Sequence, residues 1–222
     1  MRVTGWRAWL ACGIFVFAAG VAQAQTMPSM ADEGHGYVAA VADAAFGSAS
    51  SQSYGVEGGY TFSPGLQVFI EAGRVNNVAS SAFFTAAQTI AGGLGQTESN
   101  VGFSAKQPAG FGDAGVRYLA PVYSTRLQPY AQAGIGLARV TNDARFTING
   151  TDVTGSLAQY GVQLGTDLSG HFTRPLLALG VGVTYPVWSR VIVDLHYRYG
   201  RIFAPDQGIN MNRAGIGLGV SF

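Results

Sequence analysis

Three polar residues at alternate positions, Asp194, His196 and Arg198, could act together chemically. A spacing of two places all three side chains on one face of a β-strand. A carboxylate, an imidazole and a guanidinium on one face can share protons or form a network of ion pairs. Four further charged residues occupy comparable positions in other alternating stretches, namely Glu57, Glu71, Asp113 and Arg117.

These seven residues fit two roles if their strands close into a narrow barrel with this face inward. The first is a structural polar core, in which opposite charges on neighbouring strands pair and fill the lumen because an unpaired buried charge is very costly. The second is a narrow, gated channel for ions or small solutes, with the same ion pairs as the gate. The sequence favours the structural role and keeps the channel as the alternative.

An enzyme that modifies lipid A is the third hypothesis and a distant one. Such a hydrolase needs a nucleophile beside a base and an orienting carboxylate. His196 is followed at the next same-face position by Arg198 rather than a serine, His171 and Thr173 fall in a predicted loop, and His35 lies at a strand edge. There is no His-x-His pair and no dense carboxylate loop. We therefore expect no catalytic residue, no metal and no cofactor.

Strands must position these residues, and the last ten residues show the pattern most clearly. Between Arg213 and Phe222 every even position is apolar, and every odd position is Gly, Ser or Arg. Such a strand has one apolar face and is about long enough to cross a bilayer at a tilt. The same alternation predicts seven more strands, at residues 36–42, 54–62, 66–74, 110–119, 127–139, 177–185 and 191–202.

The connections between these strands differ in length. Those after the second, fourth and sixth strands are short, and Ser63-Pro64-Gly65 predicts a tight turn. Two long stretches, 75–109 and 140–175, follow the third and fifth strands. The first is compatible with a short helical piece, and the second contains an expected Asn149-Gly150 turn, with part of it extending the strand pair above the membrane. Residues 204–212 are expected to form a polar loop.

Composition supports a membrane barrel. Charged residues are 11% of the chain, against about 25% in ordinary soluble domains, and there are 32 glycines. Few charges, many glycines and no spanning helix beyond the N-terminus favour an all-β fold, an eight-stranded antiparallel up-and-down transmembrane β-barrel. In the first strand we expect Tyr37, Ala39 and Val41 to face lipid. The expected interfacial aromatics are Tyr54, Tyr60, Phe62, Tyr118, Tyr185, Trp188, Tyr199 and Phe222.

The N-terminus predicts export. Arg2 and Arg7 precede an apolar run of about 14 residues, which is followed by Ala22-Gln23-Ala24. We expect cleavage after Ala24, which divides the chain into a signal peptide (1–24), a short polar leader that begins at Gln25 (25–33) and a barrel domain (34–222). The only cysteine, Cys12, lies in the signal. Removing Arg2 and Arg7 from the 13 basic residues leaves 11 against 12 acidic residues, a net charge of about −1 that excludes an electrostatic footprint for nucleic acid.

Four stretches resemble the small eight-stranded outer-membrane β-barrel proteins of Gram-negative bacteria, of the opacity-protein and OmpA-transmembrane-domain type. They are residues 112–118 (GDAGVRY), 129–136 (PYAQAGIG), 193–199 (VDLHYRY) and the glycine-rich strand that ends at Phe222. The resemblance implies a location in outer-membrane lipid, both termini in the periplasm and long external loops open to an outside ligand.

The resemblance also implies assembly by periplasmic chaperones and the barrel-assembly machinery, which reads the last strand. The usual signal has a polar residue near Gly215, where this chain has glycine. Recognition is therefore expected to depend on Gly217, Val220 and Phe222.

Overall fold

The computed structural model describes residues 34–47, 49–121, 126–165, 168–204 and 208–222. The predicted signal peptide, its cleavage residues Ala22, Ala24 and Gln25, and the leader lie outside these ranges. Within the described ranges, no helix is long and apolar enough to cross a membrane.

Ten strands and one α-helix form in the described part of the chain. In order they are β1 (Gly36–Phe46), β2 (Ser51–Ser63), β3 (Leu66–Val75), α1 (Ser81–Leu94), β4 (Val101–Lys106), β5 (Ala109–Leu119), β6 (Gln128–Ile148), β7 (Thr151–Asp152), β8 (Ser169–Pro186), β9 (Val191–Ile202) and β10 (Ile209–Ser221).

Eight of these strands close into one antiparallel ring. The order is β1-β2-β3-β5-β6-β8-β9-β10, and β10 pairs with β1 to complete it. The predicted eight-stranded up-and-down barrel is therefore confirmed. Closure leaves no open edge among these eight strands, as a hydrocarbon environment demands of a barrel wall.

The two ends of the barrel differ. At one end, called here the turn end, short connections join β2 to β3, β5 to β6 and β8 to β9, and both Gly36 and Phe222 lie there. The other end, called the loop end, carries the two longest connections, from β3 to β5 and from β6 to β8, together with the connections from β1 to β2 and from β9 to β10. The predicted turn at Pro64-Gly65 is confirmed, because Ser63 pairs with Leu66 and Gly65 has a φ of 75°.

The facing predicted for β1 is wrong. Tyr37, Ala39 and Val41 point into the barrel and are buried, whereas Val38 is 52% exposed on the outer face. β1 continues to Phe46, and its inward positions include the buried Asp43. Apolar residues occupy both faces between 36 and 42, so the alternation that marks other strands is missing there.

The two predicted long loops contain more regular structure than expected. Residues 75–109 include α1 and β4, and the capping Ser80 accepts a hydrogen bond from the Phe83 amide at 3.2 Å. β6 and β8 extend well into residues 140–175 and remain paired as far as Asp143 and Ser169. Residues 209–212, expected in a polar loop, begin β10.

Strand β6 continues beyond its pairing with β8 and ends in the predicted turn, which joins it to the short strand β7. Asn149 and Gly150 have φ values of 50° and 80°, and Ile148 pairs with Thr151 across them. This is the two-residue hairpin turn for which Asn-Gly is the preferred sequence, so the prediction is confirmed.

A small apolar layer, called here the cap, stands on this extension beyond the barrel. Helix α1 packs Phe83, Ala87, Ala91 and Leu94 against residues of β6 that include Phe146, which is fully buried. The spacing of these helix residues is that of one face of an amphipathic helix.

Near the cap, hydrogen bonds from the side chain and backbone of Thr154 hold the pKa of the exposed Asp152 below its usual range.

The outer face of the barrel is apolar, with aromatic residues toward both ends. Near the turn end Tyr60, Phe62, Tyr118, Tyr185, Trp188 and Phe222 are exposed, and near the loop end Phe46, Tyr54, Tyr197 and Phe203 are exposed. This arrangement fits an apolar band with interfacial girdles.

Replacing Leu195 with Arg tests the outer face. Leu195 lies on β9 between the girdles and is 63% exposed, so we expect a charge there to cost about 2–4 kcal/mol of insertion free energy. The measurement is the folded fraction in lipid vesicles, read from heat-modifiable gel migration. Ala86→Arg, on the exposed side of α1, is the matched control and should insert normally. Equal insertion of both variants would show that the lipid-facing side is misassigned.

Candidate functional site: the buried charge network

The structure places all seven predicted charged residues inside the barrel, where each is buried. Glu57 on β2 lies beside Glu71 on β3, which in turn lies beside Asp113 on β5. Asp194, His196 and Arg198 project inward from β9, and Arg117 projects from β5. The strand alternation therefore brings side chains from distant parts of the sequence into one group.

Two members of this group were missed by the sequence interpretation. Asp43 on β1 and Arg213 on β10 are buried at 6% and 1% exposure and contact the predicted residues. Asp43 follows the predicted end of its strand, and the wrong facing of β1 concealed it. Arg213 lies two residues before Gly215 and therefore on the same, inward face of β10. This spacing could have identified Arg213 from the sequence. We call these two residues and the predicted seven the network.

Arg198 lies at the centre of the network. Its guanidinium nitrogens lie 2.7 Å from Glu57 Oε2 and 2.8 Å from Glu71 Oε1, and 3.7 Å from Asp194 Oδ2. Arg213 approaches the same Glu71 carboxylate, donating to its two oxygens at 2.6 and 3.2 Å. One glutamate thus joins β3 to both β9 and β10.

His196 bridges two carboxylates. Its Nδ1 lies 2.6 Å from Asp194 Oδ2, and its Nε2 lies 2.7 Å from Asp43 Oδ1. Carboxylate oxygens only accept hydrogen bonds, so donors are required at both ring nitrogens. The doubly protonated imidazolium provides them, and His196 therefore acts as the fourth cation of the network.

Arg117 is held by aromatic and polar neighbours. It donates to Glu57 Oε1 and to Gln132 Oε1, both at 2.6 Å, and its guanidinium carbon lies 4.0 Å from the ring centroid of Tyr130. The Tyr37 hydroxyl donates to the same Glu57 oxygen at 2.5 Å. Cation–π contact and charge-assisted hydrogen bonds together compensate the guanidinium for the loss of water.

Asp113 differs from the other acidic members. It is only 3% exposed, and neither of its carboxyl oxygens has a hydrogen-bond partner among the described residues. The network holds five carboxyl groups against three guanidiniums and one imidazolium. A proton on Asp113 makes the buried charges balance, and the carboxyl without a partner is the one that can be neutral at least cost.

An apolar layer, called here the plug, closes the lumen on the loop-end side of the network. Its buried residues are Ala45, Val75, Val78, Ala109, Phe111, Ala138, Val140, Leu176, Ile202, Ile209 and Met211. The Arg213 guanidinium lies 4.3 Å from the Phe111 ring centroid, where network and plug meet. A cavity of about 230 Å³ borders the plug among Gly47, Ser80 and Asn210, on the loop-end side.

The terminal strand closes the barrel through its last residues. Phe222 and Gly36 exchange two backbone hydrogen bonds at 2.8 and 2.9 Å. Val220 faces outward, and Gly217 faces the lumen, where a Cβ would lie 3.2 Å from Asp194. In the described part of the chain, no cluster of three His, Cys, Asp or Glu residues is arranged to hold a metal.

A closed antiparallel ring with an apolar outer face, aromatic girdles and a charged interior defines a transmembrane β-barrel of the bacterial outer membrane. The chain belongs to the family of the outer membrane protein beta-barrel domain, whose sequence model matches residues 10–222. It is an outer-membrane protein and sits in the lipid of that membrane. No curated protein sequence matches the chain.

Solved structures with this fold include small barrels from several bacteria. The N-terminal β-barrel domain of Pseudomonas aeruginosa OprF is 14% identical, with a TM-score of 0.51, and the alignment covers 86% of this chain and 98% of that one. Neisserial surface protein A is 20% identical, with a TM-score of 0.48 and coverage of 84% and 94%. Ail, the attachment invasion locus protein of Yersinia pestis, is 14% identical, with a TM-score of 0.48 and coverage of 86% and 100%.

Two isosteric substitutions compare an acidic residue that forms ion pairs, Glu71, with one that forms none among the described residues, Asp113. Glu71→Gln leaves Arg198 and Arg213 without their shared carboxylate, so we expect it to lower the free energy of unfolding by about 3–5 kcal/mol. Asp113→Asn removes no ion pair and should leave stability unchanged or raised. Urea unfolding in detergent micelles measures both. Equal destabilisation by the two variants would contradict the charge balance proposed for the network.

Proposed function

We propose that this protein is a closed, non-conducting barrel that stabilises the outer membrane and presents its cap for contact outside the cell. The observation that carries the proposal is the two-layer filling of the lumen. The charge network occupies the middle of the barrel, and the apolar plug lies above it. An ion crossing this interior would have to part buried ion pairs and then enter a dry layer.

A catalytic role has little support in this arrangement. Both ring nitrogens of His196 are engaged by carboxylates, and its side chain is fully buried. A general base must reach the proton that it abstracts. Membrane lipids surround the outside of the barrel, whereas His196 points into its interior.

We also propose that the turn end faces the periplasm and that the cap stands outside the cell. Longer connections at one end and short turns at the other are the usual asymmetry of such barrels. Gly217, Val220 and Phe222 then lie where periplasmic chaperones and the barrel-assembly machinery would meet the last strand during insertion, after export by the N-terminal signal.

The cap offers aromatic groups for an external contact. Phe84 is exposed on α1 and packs against Phe103 of β4, with ring centroids 5.3 Å apart. Tyr160, in the short 3-10 helix Thr154–Tyr160, is also exposed. Aromatic residues are enriched at the centres of protein–protein interfaces.

Conductance tests the closed lumen. The protein purified from outer membranes should give no steady current in a planar lipid bilayer, because network and plug block the interior. The matched variant Arg198→Ala removes the central guanidinium below an intact plug, and it should also remain closed. Reproducible unitary steps from the unmodified protein, altered by Arg198→Ala, would instead establish the channel.

Cysteine labelling tests the orientation. Ser99→Cys lies beyond α1 on the loop-end side, and Ser189→Cys lies in the turn between β8 and β9, and both sites are exposed. On intact cells a membrane-impermeant maleimide should label Ser99→Cys and leave Ser189→Cys unlabelled until the membrane is broken. The unmodified protein reports any background. The reverse labelling pattern would overturn the orientation.

A further inference from the structure

Two arginines on the outer face of the barrel lie in one row across neighbouring strands. Arg74 on β3 pairs in register with Gly110 on β5, and Gly110 pairs with Arg139 on β6. All three residues are exposed and share the outward parity of the apolar band. Two strand spacings separate the arginines, so their backbones are about 10 Å apart.

Neither arginine has a partner of opposite charge. Among the described residues, no ion pair or hydrogen bond engages the guanidinium of Arg74 or Arg139. Two other exposed arginines differ, because Arg201 donates to Asn210 at 2.8 Å and Arg145 pairs with Asp143 at 2.9 Å. The described outer face offers no carboxylate in this row.

The position between the two arginines is open. A Cβ on Gly110 would meet no atom within 4 Å, and its backbone is not in the left-handed region. Gly112 lies next below on the same face, where the nearest atom would be the Glu71 carbonyl oxygen at 3.8 Å. A shallow groove therefore runs along the outside of β5 from the arginines into the apolar band.

The walls of this groove are apolar and face lipid. Ile70 on β3 is 64% exposed, and Ile135 and Leu137 on β6 are 74% and 58% exposed. Ala114, which follows Gly112 on the floor of the groove, pairs with both Ile70 and Ile135. The groove therefore has two arginines at its loop-end opening and apolar walls below them.

The arginines lie at the edge of the apolar band. Arg74 is eight residues from Leu66, which begins β3 at the turn end. Eight residues of strand span about 27 Å, or roughly 20 Å of height at the usual tilt of such strands. An apolar band is about 25 Å tall, so the Arg74 backbone lies about 5 Å inside its edge. A long arginine side chain can span that distance and carry its guanidinium to the level of the lipid head groups.

We infer that Arg74, Arg139 and the groove between them bind one lipid through a phosphate monoester on its head group. Two guanidiniums flanking an open position suit a doubly charged phosphate, which accepts several charge-assisted hydrogen bonds, and the groove accommodates an acyl chain. With the loop end outward, as proposed above, the lipid belongs to the outer leaflet, whose phosphorylated glycolipid is lipid A.

The test measures binding of purified lipid A to the delipidated protein in a non-ionic detergent by native mass spectrometry. Arg74→Gln and Arg139→Gln should each weaken binding about tenfold, as loss of a charge-assisted contact predicts. Gly110→Leu fills the open position without touching a charge and should weaken it similarly. Arg190→Gln, at the turn end, is the matched control and should bind normally.

Three outcomes would overturn the site. They are equal binding by all variants, equal binding of dephosphorylated lipid A, and equal binding of phosphatidylglycerol, whose phosphodiester carries a single charge. Heat-modifiable migration on a gel verifies that each variant is folded. The conservative variants Arg74→Lys and Arg139→Lys should retain part of the affinity for lipid A. Because the assay uses purified protein, a failure here is independent of orientation and of lumen conductance.

Discussion

Buried charges must be paired, and this constraint organises the barrel from the inside. Glu71 joins β3 to β9 and β10, His196 joins β9 to β1, and Glu57 receives arginines from β5 and β9. Tyr130 on β6 and Thr184 on β8 both donate to Asp194. Every strand of the ring therefore supplies a side chain to one interior group. A change in the register of any strand would leave part of that group unpaired, at a cost that a marginally stable protein could not sustain.

Such a network needs room that the inner wall provides through missing side chains. A Cβ at Gly215 would lie 2.2 Å from Asp43 Oδ1, and one at Gly136 would lie 2.0 Å from the Gly112 carbonyl oxygen. Glycine at Gly215 lets Asp43 reach His196 across β10. This contact gives a structural reason for the glycine at position 215. The same lack of side chains that weakens a strand locally permits the close packing of charges.

Alternation with a period of two predicted most of the barrel, because a lipid-facing side chain and a lumen-facing side chain differ sharply in chemistry. β9 has the predicted bounds, and its three polar residues face inward as expected. The alternation failed to predict the facing of a strand where both faces are apolar, as between residues 36 and 42. For this reason Asp43 was not predicted to face the lumen. It also could not reveal how far β6 and β8 continue beyond the membrane, since α1 and β4 supply the apolar cover that makes the extension stable. Which carboxyl lacks a partner depends on register and rotamer, and neither is encoded in local sequence pattern.

The contrast between the two faces of the wall also bears on where the protein can interact. Inside, each guanidinium of the network lies within ion-pair distance of at least one carboxylate. Outside, a charged residue beside hydrocarbon persists only where its surroundings supply a counter-ion or water. Arg201 and Arg145 have partners on the protein, whereas Arg74 and Arg139 have none among the described residues. The network and the plug fill the described lumen, and two cations without a partner among the described residues lie at the rim. Both features favour interactions at the outer surface and the cap over passage through the centre of the barrel.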